Sequence, residues 1–243
     1  MKAVVLAAGY ATRLYPLTLD TPKQLLEVGG RPIVDYVVDA LRTVEGLDRI
    51  YLVTNAKFAP RFRGWADEGG RDVTVIDDGT ESDETRLGAI GDLGLVIERE
   101  GLDDDLIVVA GDNLFTATLE EFAALGRERR APVVAVHDVG DPEQMSKYNT
   151  IELDGEDRIT YFEEKPERAS STLAGIALYL YPRETLPLVH RYLEAGNNPD
   201  QPGRLVEWLY PQLPFYVWRL PGEWYDIGSA ETLEAAAEAF AAK

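Results

Sequence analysis

The sequence predicts an α/β fold with a mixed, mostly parallel sheet flanked by helices and a small antiparallel β insertion. Apolar strand-like runs recur along the 243 residues, helical patterns separate several of them, and a hairpin pattern appears in the second half. Alternating strands and helices are joined by right-handed crossovers, which align neighbouring strands in parallel. No segment resembles a linker, so we expect a single domain over residues 1–243.

The predicted elements follow from apolar periodicity. Strands are predicted at the apolar runs 3–8, 50–54, 73–76, 106–110, 133–136 and 174–181. The first helix is predicted over residues 32–44, where apolar residues recur at helical spacing. Another is predicted over residues 118–129, with Thr118 as the N-cap and Glu121 completing a capping box. In the second half, residues 151–162 around a turn at 154–157 predict a hairpin, and residues 229–243 predict a closing helix capped by Ser229.

Composition excludes several classes of protein. No apolar stretch approaches the length of a membrane span, so we expect no membrane association. Met1, Lys2 and Ala3 lead directly into the first strand, which leaves no room for a signal peptide, and the absence of cysteine fits a cytoplasmic location. A net charge of −19 argues against nucleic-acid binding, because that binding depends on a basic surface. Basic residues are therefore expected where small anions bind.

The segment after the first strand has the composition of a phosphate-binding loop. It reads Ala8-Gly9-Tyr10-Ala11-Thr12-Arg13, and Lys23 follows Pro22 a short distance later. Small residues after a buried strand let backbone N–H groups come close to a phosphate chain, and the two cations suit a triphosphate. The segment is neither a Walker A loop nor a Gly-x-Gly-x-x-Gly loop, because the required lysine and glycine positions are absent.

This pattern resembles the signature of the sugar nucleotidyltransferases, Gly-x-Gly-Thr-Arg-x-x-Pro-x-Thr followed by Pro-Lys. Arg13, Pro16, Thr18, Pro22 and Lys23 stand at the expected spacing. The resemblance implies a Rossmann-like, GT-A-like nucleotidyltransferase fold in which Arg13 and Lys23 act in catalysis and residues 8–12 bind the nucleotide. Ala11 replaces the family's usual second glycine, a change that a negative φ would tolerate.

Two aspartates are candidates for a metal site. Asp112 follows the buried run 106–110, and a carboxylate at a strand end suits Mg²⁺, although Gly111-Asp112-Asn113 alone is also typical of an Asx turn. Asp226 lies in the late segment Trp224-Tyr225-Asp226. The resemblance implies that Asp112 and Asp226 together hold the catalytic Mg²⁺, with Asp112 also contributing to nucleotide binding.

The resemblance also implies a site for the phosphate acceptor. Glu164 and Lys165 match a Glu-Lys-Pro element in which the acid binds acceptor hydroxyls and the lysine binds the acceptor phosphate. Gly88 matches the glycine of the base-binding loop. The remaining residues expected at the acceptor are Asn113, Tyr148, Asn149, Gly175 and Trp224, and Asn149 departs from the family's usual Tyr-Gly pair.

We therefore expect an enzyme that transfers NMP from an NTP to a sugar 1-phosphate, giving an NDP-sugar and pyrophosphate. Residues 1–130 would form the nucleotide-binding half and residues 131–243 the acceptor-binding half, and a homo-oligomer is compatible with the sequence. Two alternatives stay open. One is a cytidylyltransferase acting on phosphocholine or inositol phosphate, for which Trp208, Tyr210, Trp218 and Trp224 could form an aromatic cage. The other is a regulatory paralogue that binds nucleotide sugars without catalysis.

Overall fold

The computed structural model describes residues 1–241, so the last two residues of the predicted closing helix lie outside it. The strands are β1 (Lys2–Leu6), β2 (Glu27–Val28), β3 (Arg31–Pro32), β4 (Arg49–Thr54), β5 (Val73–Asp77), β6 (Leu106–Ala110), β7 (Asn113–Phe115), β8 (Val133–Asp138), β9 (Asn149–Leu153), β10 (Ile159–Glu164), β11 (Leu173–Tyr181), β12 (Tyr216–Arg219) and β13 (Trp224–Asp226). The helices are α1 (Ile33–Leu41), α2 (Ala59–Glu68), α3 (Ala89–Arg99), α4 (Glu120–Arg129), α5 (Leu186–Glu194), α6 (Gly203–Leu209) and α7 (Ala230–Ala241).

The central sheet is mixed and mostly parallel, as predicted. Its strands lie in the order β12, β8, β11, β6, β1, β4, β5. β1 pairs in parallel with β4 and β6, whereas β11 runs antiparallel to both β6 and β8. The carboxyl ends of β1, β4, β5 and β6 therefore meet at one edge, where open α/β sheets bind their ligands.

Apolar side chains cover both faces of this sheet because successive strand residues point to opposite sides. On one face Val5 and Leu52 pack with side chains of α1, α2 and α4. On the other face Val4 and Val108 pack with side chains of α3, α5 and α6. A smaller cluster joins α7 to β2 and β7 through Ala236, Val28 and Leu114.

The six predicted strands are all confirmed, with boundaries within two residues, but β12 was missed. Its four residues, Tyr216–Arg219, are too few to show a clear period, and they form a strand because they pair in parallel with β8. The hairpin is confirmed as β9 and β10. The closing helix is also confirmed, and Ser229 Oγ accepts the Thr232 N–H at 3.3 Å, as expected of an N-cap.

The predicted capping box of the second helix is wrong. Helix α4 begins at Glu120, and Leu119 at the N-cap position makes no side-chain capping bond. Leu119 is fully buried, and its N–H donates instead to Thr43 Oγ1 at 2.9 Å. The loop after α1 thus supplies the capping acceptor, because core packing of Leu119 shifts the helix start away from Thr118. Among residues 1–241, no helix is long and apolar enough to cross a lipid bilayer.

Two helix glycines give a matched test of this packing. A Cβ on Gly126 in α4 would lie 2.6 Å from Cδ1 of the buried Leu180, whereas a Cβ on Gly64 in α2 would meet nothing within 4 Å. Gly126→Ala should therefore lower the free energy of unfolding by about 1–2 kcal/mol through overpacking. Gly64→Ala should raise it by about 0.5–1 kcal/mol because alanine favours a helix. Urea unfolding of both variants checks this, and a stabilised Gly126→Ala would contradict the packing described.

Candidate active site

A cavity of about 540 Å³ lies at the edge of the sheet where β1 and β6 end. It contains every residue that the sequence assigned to nucleotide binding, catalysis or metal binding: Ala8, Gly9, Tyr10, Ala11, Thr12, Arg13, Lys23, Gly88, Asp112 and Asp226. The first cavity is lined from both halves of the chain, since Ala177 and Asp200 also border it. The residues assigned from the sequence therefore surround one space that is large enough for a nucleotide.

The loop after β1 is held by side chains that capture its carbonyl oxygens. Thr54 Oγ1 donates to Ala7 O at 3.1 Å, and Asn55 Nδ2 donates to Ala8 O at 2.8 Å. The buried Thr18 hydroxyl donates to Ala11 O at 2.8 Å. These bonds anchor the loop against the end of β4 and against its own downstream segment. Carbonyl groups held in this way cannot turn towards a bound phosphate, which their negative oxygens would repel.

Ala11 does not have the negative φ that would tolerate an alanine at this position. Ala11 has φ 48° and ψ 43°, in the left-handed region that favours glycine. The conformation is imposed by the turn from the loop into the short helical segment Thr12–Leu14 and by the Thr18 bond. Alanine therefore occupies the family's glycine position with backbone strain, at a cost of order 1 kcal/mol.

The two aspartates are brought together by strand pairing. Asp112 directly precedes β7, and β13 pairs antiparallel with β7 so that Asp226 lies opposite Asn113. Lys23 Nζ lies 2.6 Å from Asp112 Oδ2, with only 11% of the lysine side chain exposed. The cavity therefore contains two neighbouring carboxylates, one of which has an ammonium partner.

The electrostatics around Asp226 reflect this arrangement. Burial of its carboxyl group raises the pKa of Asp226, although part of the residue is exposed. The positive charge of Lys23 lowers this pKa, and the negative charge of Asp112 raises it further. The Tyr148 hydroxyl donates a hydrogen bond to Asp226. Burial, followed by the negative charge of Asp226, raises the pKa of Tyr148 to about 12. A cation placed between the aspartates would relieve their repulsion.

A second cavity of about 220 Å³ shares a wall with the first, formed by Asp112, Ala177 and Asp226 among others. Six of the seven residues expected at the acceptor line it: Asn113, Tyr148, Asn149, Glu164, Gly175 and Trp224. Lys165 does not line it and is exposed, with φ 52°. Lys147, which the sequence reasoning missed, lines it instead.

Two buried asparagines shape the shared wall. Asn113 Nδ2 donates to Ile176 O, and its Oδ1 accepts the Trp224 Nε1–H at 2.6 Å. Asn149 bonds the backbone of Gly175 through both amide atoms, at 2.7 Å and 3.2 Å. These bonds fix an irregularity in β11 where Ala177 adopts φ 53°. Both asparagines are thus engaged by the protein itself.

Glu164 is held in a tight and largely buried position. A Cβ on Gly203 would lie 1.9 Å from Glu164 Oε2, so only glycine at the start of α6 leaves room for this carboxylate. Burial raises the pKa of Glu164 to about 7, although Lys165 and Arg204 act against the shift. Near neutral pH the group therefore exists as both acid and carboxylate.

The far end of the first cavity is closed by a turn before α3. Gly88 has φ 79°, and a Cβ there would lie 2.6 Å from Pro199 O. Arg86 forms two hydrogen bonds with Asp200, at 2.9 Å and 2.8 Å. Backbone bonds from Ala89 N–H to Asp200 O and from Ile90 N–H to Pro199 O, together with the Arg86 pair, thus join this turn to the segment that precedes α6.

Sequence reasoning missed several lining residues and proposed one cluster that does not form. Arg86, Asp92 and Asp200 line the first cavity, but polar residues of these kinds are also typical of solvated loops and helix starts. The proposed aromatic cage is not assembled: Trp208 packs on Tyr192 with ring centroids 5.7 Å apart, and Trp218 packs on Phe122. Of the cage residues, Trp224 alone lines the second cavity.

The comparisons with known proteins agree with this architecture. The architecture is that of the GT-A-like nucleotidyltransferases. A crystal structure of a UDP-glucose pyrophosphorylase complexed with UDP-glucose matches this chain with a TM-score of 0.82. The match covers 98% of this chain and 97% of that one, at 21% sequence identity. A family-wide sequence profile described as nucleotidyl transferase matches residues 2–243. The chain belongs to this nucleotidyl transferase family.

Curated relatives carry related names. A UTP–glucose-1-phosphate uridylyltransferase of Synechocystis is 30% identical over 94% of this chain and 60% of its own length. One of Haloferax volcanii is 32% identical over 74% of this chain and 72% of its own length. A glucose-1-phosphate thymidylyltransferase of Streptomyces antibioticus is 30% identical over 80% of this chain. The chain spans 60% of the Synechocystis relative and 52% of the Streptomyces one.

Replacing Ala11 with glycine should relieve the strain in the loop. Glycine adopts a positive φ without a steric cost, so Ala11→Gly should raise the free energy of unfolding by about 1 kcal/mol. Ala8→Gly in the same loop, where φ is not positive, is the control and should lower it by about 0.5–1 kcal/mol. Urea unfolding monitored by tryptophan fluorescence measures both. Equal losses from the two changes would contradict the strain assigned to Ala11.

Proposed function

We propose that this protein is a sugar-1-phosphate nucleotidyltransferase, which converts an NTP and a sugar 1-phosphate into an NDP-sugar and pyrophosphate. The observation that carries the proposal is the shared wall between the two cavities. Asp112 and Asp226 face both spaces, so a nucleotide in the first and a phosphorylated acceptor in the second would bring their phosphates together there. The names of the relatives support the same activity.

On the nucleotide side, this chain supplies a preorganised anion site. Arg13 and Lys23 carry positive charge into the first cavity, next to a loop whose carbonyls are captured by side chains. An oxygen of the acceptor phosphate attacks the α-phosphorus, the bond from the α-phosphorus to the bridging oxygen breaks, and pyrophosphate leaves. Catalysis then depends on alignment and charge neutralisation.

The two aspartates fit a Mg²⁺ ion. Mg²⁺ binds proteins through one or two carboxylates and leaves its remaining positions to phosphate oxygens and water. Asp112 and Asp226 provide that donor set, and no cluster of three or more acidic or histidine side chains suited to a metal exists within residues 1–241. When bound there, Mg²⁺ would neutralise phosphate charge. Tyr148 orients Asp226 by donating a hydrogen bond to it.

On the acceptor side, the second cavity offers the groups that a sugar phosphate requires. Glu164 can accept hydrogen bonds from sugar hydroxyls, and Lys147 supplies a cation for the phosphate. The Trp224 ring, fixed by its bond to Asn113, provides an apolar surface for a sugar ring. Pyrophosphate release from a matrix of five NTPs against a panel of phosphorylated acceptors tests the proposal and identifies the base and acceptor.

Removing either metal-binding carboxylate should abolish most activity. Asp112→Asn and Asp226→Asn should each lower kcat by about a hundredfold or more, because an amide binds Mg²⁺ more weakly. Pyrophosphate release at saturating substrates measures kcat, and urea unfolding shows that each variant is folded. Asp67→Asn, an exposed change on α2, is the matched control. Full activity of either variant in the presence of EDTA would refute the assignment.

The two lysines near the acceptor should differ in importance. Lys147→Ala should raise the KM for the acceptor by about tenfold, because Lys147 lines the second cavity, and should leave the KM for the NTP nearly unchanged. Arg13→Ala should raise the KM for the NTP instead. Lys165→Ala should have the weaker effect on the acceptor, since Lys165 is exposed outside the cavity. A larger effect of Lys165→Ala than of Lys147→Ala would restore the role expected from the sequence.

A further inference from the structure

A buried aspartate and a half-buried one lie close together beside the nucleotide cavity. Asp92 lies in the first turn of α3 with 4% of its surface exposed, and Asp78 lies in the turn after β5. The negative charge of Asp78 acts on the carboxyl group of Asp92. Asp92 Oδ1 and Asp78 Oδ2 are both buried, and neither has a hydrogen-bond partner within the described residues. Two neighbouring carboxyl groups can hydrogen-bond to each other only when one of them carries a proton.

The remaining contacts show which carboxyl group holds the proton. Asp78 Oδ1 accepts the Thr80 N–H at 2.6 Å and the Thr80 hydroxyl at 2.7 Å. Asp92 has no such donors, and no ion pair to Asp92 or Asp78 exists within residues 1–241. Burial, followed by the charge of Asp78, raises the pKa of Asp92 to about 8. Both effects favour the neutral acid form of Asp92.

The segments that flank the pair and the elements that pack against α3 carry other titratable and charged groups. They come from the loop after β1, the segment before α3, the segment before α6, helix α5 and the strands below α3: Tyr10, Glu81, Asp83, Arg86, Asp200, His190, Arg191, Tyr192, Glu194, Lys2, Arg49 and Tyr51. Arg86 is already paired with Asp83 and Asp200. Asp78 is thus the one charge identified as acting on Asp92.

The pair lies next to two segments that line the first cavity, the loop after β1 and the turn at Gly88. The backbone N–H of Asp92 donates to Gly88 O at 2.8 Å, the first helical bond of α3, so Asp92 follows the turn at Gly88 by one helical turn. Thr80, bound by Asp78, accepts the Tyr10 hydroxyl through its carbonyl at 3.3 Å. Asp92 itself borders the cavity. The loop after β1 is thus connected to Asp78 through Thr80, and Asp92 lies one helical turn from Gly88.

We propose that Asp78 and Asp92 share one proton, and that this protonated pair positions the turn at Gly88 for the nucleobase, a role that rests on the proposed nucleotidyltransferase function. Asp92 is accordingly a positioning residue for the nucleotide. Loss of the proton places two negative charges in contact, which separates α3 from the turn after β5. Nucleotide affinity then falls, whereas the acceptor cavity, on the other side of the shared wall, is unaffected.

The shared proton also gives a pH dependence of stability whose sign is fixed. The pKa of Asp92 is higher in the folded chain than in the unfolded chain, so folding takes up a proton between these two values. The stabilising effect is complete below the unfolded pKa, near 4, and is lost as the pH rises towards about 8. Asp92→Asn retains an N–H donor for Asp78 and cannot ionise, so the slope in this interval should become shallower.

Nucleotide binding across a pH series tests the positioning role. Isothermal titration calorimetry first measures the affinity of the protein for UTP, dTTP, CTP, GTP and ATP, each in the presence of Mg²⁺. The affinity for the nucleotide that binds most tightly is then measured from about pH 7.5 to about pH 9.5, above the last phosphate ionisation. Affinity of the unmodified protein should fall about fivefold or more. Asp92→Asn and Asp78→Asn should each change by less than about twofold, because both retain a hydrogen bond without a shared proton. Asp67→Asn should behave as the unmodified protein.

Each alternative result overturns a defined part of the proposal. If Asp92→Asn loses affinity with the same pH dependence as the unmodified protein, the positioning role is wrong. If urea unfolding of Asp92→Asn between about pH 4 and about pH 8 keeps the unmodified slope, no proton is shared. If no nucleotide binds at any pH, the proposed function and the positioning role both fail, while the unfolding series still decides whether the proton is shared.

Discussion

The antiparallel pairing of β13 with β7 determines the geometry of the whole site. It places Asp226 opposite Asn113 and therefore beside Asp112, although the two segments are far apart in sequence. The same pairing positions Trp224, whose indole N–H binds Asn113, while the other end of the Asn113 amide binds β11. A shift of one residue in this register would turn Asp226 to the opposite face of the strand. Both cavities thus depend on one short ladder.

The sequence predicted the parts of the site that depend on residue type and spacing. Arg13 and Lys23 were identified because they follow a small-residue loop after a buried strand, whereas Asp112 and Asp226 were assigned to one metal through the family resemblance. The strands were predicted because their apolar runs are long enough to show burial. Strand β12 was not predicted, because its formation depends on pairing with β8, which lies far away in the sequence.

The residues that were missed share a dependence on tertiary contacts. Lys147 closes a short helical segment, Pro142–Lys147, whose polar composition is typical of a surface turn. Asp92 is buried in the first turn of an amphipathic helix, where an acidic residue is usually typical of a solvated helix start. The positive φ of Ala11 also could not be read locally, since the Thr18 bond helps to impose it.

The shared wall makes the two proposed substrate sites thermodynamically dependent on each other. Asp112 and Asp226 face both cavities, so an anion in either one changes the electrostatic potential felt in the other. Such linkage is reciprocal: whatever the first ligand does to the affinity of the second, the second does to the first by the same factor. Whether one substrate strengthens or weakens the binding of the other depends on how far the positive charge at the wall exceeds the negative charge of the two carboxylates. Cooperative or antagonistic binding of the two substrates therefore follows from charge balance at a fixed surface and requires no movement of the chain.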